Sequence, residues 1–169
     1  GKSRVTSKAD LIEGCRDIIA TFRQPAIVET FLPGREFTVG LVGEGAETRS
    51  IGALEVGFLG TAESTNYGLL NKEECETRIT YTLVRDATAR AAEDVAVRAW
   101  QVLNCRDAGR IDLRCDAEGN PSFIEVNPLA GLNPLHSDLP ILATQAGIPY
   151  QELIGLIVRS ASRRVGGRA

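Results

Sequence analysis

A β-hairpin is predicted between residues 109 and 127, where the chain reads GRIDLRC (109–115), DAEGNP (116–121) and SFIEVN (122–127). The first and last segments alternate between polar and aliphatic residues, as half-buried strands do. The middle segment is a cluster of turn residues, and alternating segments on either side of such a cluster are a hairpin signal. We therefore expect two antiparallel strands joined by a turn centred between Glu118 and Gly119.

This turn sets the register of the hairpin. Asp112 then faces Glu125, and Arg110 faces Asn127, on one face of the two strands. The opposite face carries the aliphatic residues Ile111, Leu113, Ile124 and Val126. Because side chains alternate along a strand, a slip of one residue would exchange the two faces, so the alternation favours this register.

The polar face of the hairpin brings two carboxylates together. Directly opposed residues have Cβ atoms about 5 Å apart, and like charges there are destabilising unless something compensates them. A divalent cation would compensate Asp112 and Glu125, and together with Asn127 they offer only hard oxygen ligands, the set that Mg²⁺ takes. Arg110 beside them could hold an additional anion. The simpler alternative is a solvated face on which Arg110 and Arg114 neutralise the two carboxylates.

The rest of the chain predicts an α+β fold. Helices are expected where apolar residues recur at helical spacing: from a cap at Ser7 to about Thr21, from a cap at Asp86, from a cap at Asp138 as far as Ala146, and over 151–163. Consecutive antiparallel strands are expected where short β-branched segments are separated by Pro and Gly: 26–31, 36–42 and 49–58. The polar residues 60–76 lack clear periodicity, which predicts a long functional loop or disorder.

The composition limits the class of protein. The chain has 169 residues, enough for one domain with its own core. Its 19 Lys and Arg against 22 Asp and Glu give a net charge of −3, so no global field attracts nucleic acid or anionic lipid. No apolar run approaches the ~20 residues of a membrane span. We therefore expect a soluble protein that binds neither nucleic acid nor a membrane.

Cysteine and methionine usage adds two expectations. The 4 cysteines match no zinc spacing, and a core of this size needs no disulfides, so reduced thiols in the cytoplasm are expected. The chain contains no Met, so residue 1 is not a translational start. We therefore expect a fragment of a longer protein.

Several motifs together point to a known family. In chain order they are VETFLPGREFTV (28–39), RID (110–112), FIEVN (123–127), Gly131, and His136 with Ser137. They resemble the ATP-grasp ligases, most closely the D-alanine:D-alanine ligase-like group. The resemblance extends from a phosphate loop at residues 1–3 through the last helix. It implies an ATP-grasp fold, with antiparallel sheets flanked by helices and a nucleotide between two subdomains. It also implies that residues 1–169 are the C-terminal ATP-grasp portion of a ligase whose N-terminal domain is absent.

The resemblance implies an enzyme that joins a carboxylate to an amine through an acyl-phosphate and releases ADP and phosphate. The implied cofactors are ATP and two Mg²⁺ ions, with Mn²⁺ as a substitute. The implied substrates are small molecules, namely amino acids or dipeptide-like compounds, and a homodimer is compatible with the family. Positioning groups are missing from the fragment, so we expect it to fold but not to turn over.

The resemblance also assigns roles to residues. The residues implied in nucleotide binding are Ser3, Glu29, Phe31, Leu32, Glu36 and Lys72, with Glu36 at the ribose hydroxyls and Lys72 at the phosphates. The implied metal ligands are Asp112, Glu125 and Asn127, with Glu125 bridging two ions. The side chain of Arg110 and the backbone N–H of Gly131 would stabilise the tetrahedral intermediate. His136 and Ser137 would contact the substrate.

Two other classes of function stay open from the sequence. One is a non-catalytic module that binds a nucleotide or a partner and has kept the fold. The other is a metal-dependent hydrolase that uses the acidic hairpin, although no general base stands out. Release of ADP that rises with candidate amino acids would distinguish the ligase from both.

Overall fold

The computed structural model describes residues 4–58 and 79–166. The chain divides into two compact units, one of which contains residues 4–31 and the other residues 32–57 and 79–166. Three predicted features lie outside the described residues: Ser3, Lys72 and the loop at 60–76.

The described part of the first unit contains helix α1 (Lys8–Phe22). Ser7 caps its start, because its Oγ accepts a hydrogen bond of 3.1 Å from the backbone N–H of Asp10. Arg23 ends it in the left-handed conformation, with φ of 52°, and its N–H donates to the carbonyl of Ile19. The helix predicted from a cap at Ser7 is confirmed.

The prediction of a strand at 26–31 is wrong. These residues take no strand conformation and belong to the first unit. Ile27, Val28 and Phe31 are 83%, 57% and 43% exposed. A β-branched composition only favours a pleated, half-buried surface, and these exposed side chains do not lie on one.

The second unit is built on a sheet with strand order β3-β2-β1-β4-β5. Its strands are β1 (Glu36–Val42), β2 (Arg49–Phe58), β3 (Ile79–Val84), β4 (Ala108–Cys115) and β5 (Pro121–Asn127). β1 pairs antiparallel with both β2 and β4, and β4 pairs antiparallel with β5. The strands predicted at 36–42 and 49–58 are therefore confirmed, and so is the hairpin.

β3 is not predicted from the sequence, although a signal exists. Ile79, Tyr81 and Leu83 alternate with polar residues over this strand. The strand is short and follows a long polar segment directly, so it reads as the end of a connection. Its place at the edge of the sheet depends on which strands pair across the whole chain, and a local sequence pattern carries no information about that pairing.

Three further helices belong to the second unit: α2 (Ala87–Val102), α3 (Asp138–Gln145) and α4 (Tyr150–Gly166). Asp86 caps α2 as predicted, since its Oδ1 accepts a hydrogen bond of 2.9 Å from the N–H of Ala89. The cap position of α3 is Ser137, one residue earlier than predicted, so that Asp138 is the first helical residue. The carboxylate of Asp138 instead forms an ion pair with Arg110.

Apolar side chains pack on both faces of the sheet. One face carries α2 and the larger cluster: Phe37, Val39, Leu41, Ala53, Ala89, Ala92, Ala96, Trp100, Ile111, Leu113 and Cys115. The other face carries α3 and α4 with a second cluster: Val42, Ile51, Leu54, Leu139, Leu142, Ala143 and Leu153. Ala53 and its neighbour Leu54 belong to different clusters because successive side chains of a strand point to opposite faces of the sheet. Beyond the second cluster, this second face carries the polar side chains of β1, β4 and β5.

Among the described residues, no single helix is long and apolar enough to cross a membrane. Only α3 and α4 together reach that length and apolar content, and they are bent by 114° at the break between them.

Candidate functional site

A row of polar residues runs across three neighbouring strands. Asp112 on β4 pairs with Glu125 on β5, as predicted, and with Thr38 on β1. Arg110 pairs with Asn127 in the next row on the same face. The register predicted for these two pairs is therefore confirmed, and four of the predicted site residues lie side by side.

The hairpin departs from the predicted register directly beside this row. The pairing shifts between Asp112 and Leu113, so that Leu113 pairs with Phe123 and not with Ile124. The prediction of Ile124 on the aliphatic face is wrong, and its side chain is 53% exposed. An extra residue in one strand bends the strand and increases its twist, and such irregularities are frequent next to functional sites. Glu125 follows the extra residue immediately, so its direction depends on this bend.

Asp112 is the central carboxylate of the row. Its Oδ1 accepts a hydrogen bond of 2.9 Å from the Thr38 hydroxyl, and its Oδ2 accepts one of 3.2 Å from Nδ2 of Asn127. The same Asn127 nitrogen donates to Oε1 of Glu125 at 3.2 Å. Burial raises the pKa of Asp112, and the charges of Glu125 and Asp138 raise it further, against the opposing effects of Arg110 and Thr38. The site is thus rich in negative charge where water is partly excluded.

Arg110 lies between two carboxylates. Its Nη1 donates to Oδ2 of Asp138 on α3, and its Nη2 lies 3.5 Å from Oδ2 of Asp112. The three side chains are between 17% and 27% exposed. Nε of Arg110 is buried and has no hydrogen-bond partner among the residues that the structure describes. The described residues therefore leave this guanidinium incompletely satisfied.

Three members of this cluster are absent from the sequence prediction: Thr38, Tyr81 and Asp138. Thr38 carried a usable signal, since it follows Glu36 at the spacing of one strand face. For Asp138 the sequence predicts only a helix cap. Tyr81 lies near Asp138, and burial, the Asp138 charge and a hydrogen bond to that carboxylate raise its pKa to about 12. Only the packing of α3 on the sheet reveals the roles of Tyr81 and Asp138.

Glu36, predicted at the ribose, lies one row further along the same face. It pairs with Arg114 in the ladder, and its Oε2 accepts a hydrogen bond of 3.0 Å from Nη1 of Arg114. Its side chain is 36% exposed. Glu36 is therefore held by a neighbouring cation while part of the carboxylate remains accessible.

The loop from 128 to 137 is folded by its own polar side chains. The Oγ of Ser137 accepts a hydrogen bond of 3.1 Å from the N–H of Asn133, and Oδ1 of Asn133 accepts from the N–H groups of Leu135 and His136. A Cβ on Gly131 would lie 2.6 Å from the Oγ of Ser137. A glycine at position 131 is therefore needed for the backbone to lie this close to Ser137. His136 is exposed.

The remaining predicted nucleotide residues are distributed over both units. Glu29 and Phe31 belong to the first unit, whereas Leu32 begins the unit that contains the sheet. Glu29 is exposed and Leu32 is half-buried. The guanidinium of Arg4 lies 3.9 Å from the ring centroid of Phe31 within the first unit.

In the part of the chain that the structure describes, no group of three or more His, Cys, Asp or Glu side chains could hold a metal ion. The hairpin set consists instead of two carboxylates and one amide. Asn127 completes it, and its nitrogen now faces both carboxylates. A cation here would require the amide to present its oxygen, which a half-turn of its planar group provides. Oxygen ligands with surplus negative charge suit Mg²⁺ and Mn²⁺ better than they suit softer transition metals.

The fold is shared with solved ligases. The D-alanine–D-alanine ligase from Bacillus anthracis, solved in complex with ATP, gives a TM-score of 0.68 at 20% identity over 98% of this chain and 50% of that chain. The enzyme from Coxiella burnetii gives 0.65 at 16% identity over 95% of this chain and 40% of its own. The chain therefore has the ATP-grasp fold, as expected for its α+β class.

The family follows from the sequence comparisons. Residues 1–159 match the family described as D-ala D-ala ligase C-terminus, and the chain belongs to this family. It is 33% identical over 168 residues to the D-alanine–D-alanine ligase of Bordetella petrii, covering 98% of this chain and 49% of that protein. It is 31% identical over 173 residues to the uncharacterized protein y4sG of Sinorhizobium fredii, covering 99% of this chain and 50% of that protein. The chain thus spans about half the length of these relatives.

Proposed function

We propose that the protein containing this chain is a Mg²⁺- and ATP-dependent ligase that joins a carboxylate to an amine, as D-alanine:D-alanine ligases do. The observation that carries the proposal is the Thr38–Asp112–Glu125 row, with Asn127 and Arg110 beside it on the same face. Family membership and the names of the relatives support the same reaction.

The proposed reaction has two steps. The γ-phosphoryl group of ATP passes to an oxygen of the substrate carboxylate, which forms an acyl-phosphate and releases ADP. The amine of the second substrate then attacks the acyl carbon, the C–O bond to phosphate breaks, and the amine loses a proton. Positioning and charge neutralisation supply most of the catalysis in such phosphoryl transfers.

Asp112, Glu125 and Asn127 are proposed to hold two Mg²⁺ ions, with Glu125 bridging. Their fit rests on the two opposed carboxylates and on the burial that raises the pKa of Asp112. When bound, the ions would neutralise phosphate oxygens during the transfer. Thr38 donates to Asp112 at 2.9 Å, and it would keep that carboxylate oriented.

Arg110 and Gly131 are proposed to act on the tetrahedral intermediate. The buried Nε of Arg110 has no partner among the described residues, and an unpaired buried donor is unfavourable. The Arg110 side chain is 27% exposed, and its terminal N–H groups would donate to the anionic oxygen. The backbone N–H of Gly131 would be the second donor of such an oxyanion site. His136 and Ser137 are proposed to contact the substrate from the same loop.

The nucleotide is proposed to contact Ser3, Glu29, Phe31, Leu32, Glu36 and Lys72. Glu36 would accept hydrogen bonds from the ribose hydroxyls, because it is partly exposed on the site face. The substrates are proposed to be amino acids or dipeptide-like molecules, and the protein is proposed to act in the cytoplasm. Cys15, Cys105 and Cys115 are free thiols in the described part, which fits that compartment. We further propose that residues 1–169 alone are inactive.

The test is a screen of the complete gene product for ADP release. Pairs of D- and L-amino acids and dipeptides are added with saturating Mg-ATP, and the wild type is compared with Glu125→Gln. We expect at least one pair to raise ADP release in the wild type and not in the variant. Nucleotide binding without any amino-acid-dependent ADP release would refute the ligase and favour the non-catalytic module.

A further inference from the structure

We propose that Asp138 is a positioning residue that fixes the guanidinium of Arg110 in the orientation needed for the ligation step. The proposal rests on the proposed function, since it gives a new role within the same site. Asp138 would act through Arg110 and would not itself contact the substrate.

The geometry around Arg110 carries the proposal. Nη1 of Arg110 donates to Asp138, whereas Nη2 lies 3.5 Å from Asp112. The guanidinium is therefore held on two sides, while its buried Nε has no partner among the residues in the described ranges. Because the guanidinium is planar and rigid, two fixed ends determine where the third nitrogen points.

Asp138 is itself fixed by α3, which packs against the edge strand. Near the start of the helix, Tyr81 on β3 lies close to Asp138, and burial and the charge of that carboxylate raise the pKa of the Tyr81 hydroxyl. At its end, Gln145 accepts a hydrogen bond of 3.1 Å from the N–H of Leu83 and donates one of 3.2 Å to the carbonyl of Tyr81. Leu139 and Leu142 bury the helix between these anchors. A carboxylate on such an element can position its partner more accurately than one on a mobile loop.

Another ion pair of this unit differs in its geometry. Arg164 forms a bidentate pair with Asp107, with distances of 2.7 and 2.9 Å, and its Nη1 also lies 3.1 Å from Glu44. Arg110 makes no bidentate pair, since its Nη1 donates to Asp138 and its Nη2 lies 3.5 Å from Asp112. Asp107 is therefore a matched carboxylate for comparison with Asp138, in an Asp–Arg pair outside the polar row.

The test compares Asp138→Asn with Asp107→Asn in the complete protein under saturating Mg-ATP and an active substrate pair. Both changes remove one charge at nearly constant size from an Asp–Arg pair. We expect Asp138→Asn to lower kcat by about tenfold or more while KM for ATP stays within about twofold, since misplacing a catalytic group affects chemistry more than binding. Asp107→Asn should leave both constants near those of the wild type.

A spectroscopic measurement tests independently of activity whether Asp138 positions Arg110. In the complete protein, ¹⁵N spectra of arginine side chains report how fast each guanidinium rotates, and Arg110→Lys identifies the Arg110 signal. We expect slow rotation of Arg110 in the wild type and fast rotation in Asp138→Asn. If that variant does not fold, Asp138→Ser, which suits the first turn of a helix, replaces it in both experiments.

Unchanged kcat in the Asp138 variants of an active protein would overturn the proposal, and so would unchanged rotation of Arg110. A wild type with no amino-acid-dependent ADP release would refute the proposed function instead. In that case the rotation of Arg110 still decides whether Asp138 positions it.

Discussion

Asp112 and Glu125 face each other across the β4–β5 ladder, and a single nitrogen, Nδ2 of Asn127, donates a hydrogen bond of 3.2 Å to each carboxylate. Opposed like charges weaken a ladder, and burial makes the Asp112 charge less favourable still. Arg110 is shared with Asp138 and does not offset both carboxylates. The pairing of Asp112 with Glu125 is therefore unfavourable in a sheet without a bound cation and suitable for a sheet that binds one.

Glu36→Gln should weaken ATP binding by about 1–3 kcal/mol, because a charge-assisted hydrogen bond to the ribose becomes a neutral one. Calorimetry with Mg-ATP on the complete protein measures the loss. A triphosphate lacking both ribose hydroxyls serves as the control, and its affinity should change little. Equal losses for both nucleotides would mean that Glu36 acts through Arg114 and its strand.

Gly131→Ala should lower kcat by about tenfold, because the new Cβ would lie too close to Ser137 and displace the loop. Steady-state ADP release measures the effect, and thermal melting checks that stability changes by less than about 1 kcal/mol. Leu129→Ala is a control in the same loop, where the side chain is 96% exposed. Equal kcat values in the two variants would show that the close approach of Gly131 and Ser137 does not affect turnover.

Gly109→Ala should lower the free energy of unfolding by about 1–3 kcal/mol, because the core has no room for the methyl group. The new Cβ would lie 2.5 Å from the Asn127 carbonyl oxygen and 2.6 Å from the Trp100 ring. Urea titration followed by Trp100 fluorescence measures the loss. Gly155→Ala is the matched control, since its Cβ meets only the flexible end of Arg159. A similar loss in both variants would contradict the packing described around Trp100.

Asp107→Asn should destabilise the second unit in a pH-dependent way. Hydrogen bonds from Arg164 lower the pKa of Asp107, so its stabilising effect is complete above the unfolded pKa and is lost as the pH falls through the folded value. We expect a difference of about 1–3 kcal/mol near neutral pH that shrinks as the pH falls below the ordinary pKa of an aspartate. Urea titrations at several pH values test this. A difference that persists at acid pH would point to packing rather than charge.

Local patterns determined much of this fold. The bounds of β1 and β2 follow from β-branched segments between Pro and Gly, and Asp112 lies opposite Glu125 because alternation and turn chemistry agree. Other features depend on contacts far apart in the chain. Residues 26–31 have strand composition but not strand conformation, and Asp138 reaches Arg110 only because α3 packs across the sheet. The roles of Ser3, Glu29, Phe31, Leu32 and Lys72 remain predictions.

The most direct test of the account is the binding of Mg²⁺ with a non-hydrolysable ATP analogue to the complete protein, measured by calorimetry. We expect Glu125→Ala to lose about tenfold or more of the Mg²⁺-dependent affinity, because it removes the carboxylate proposed to bridge the two ions. Glu118→Ala, an exposed change in the turn of the same hairpin, should bind as the wild type does. Equal Mg²⁺-dependent affinity in the wild type and Glu125→Ala would contradict the account and make the polar face of the hairpin a solvated surface.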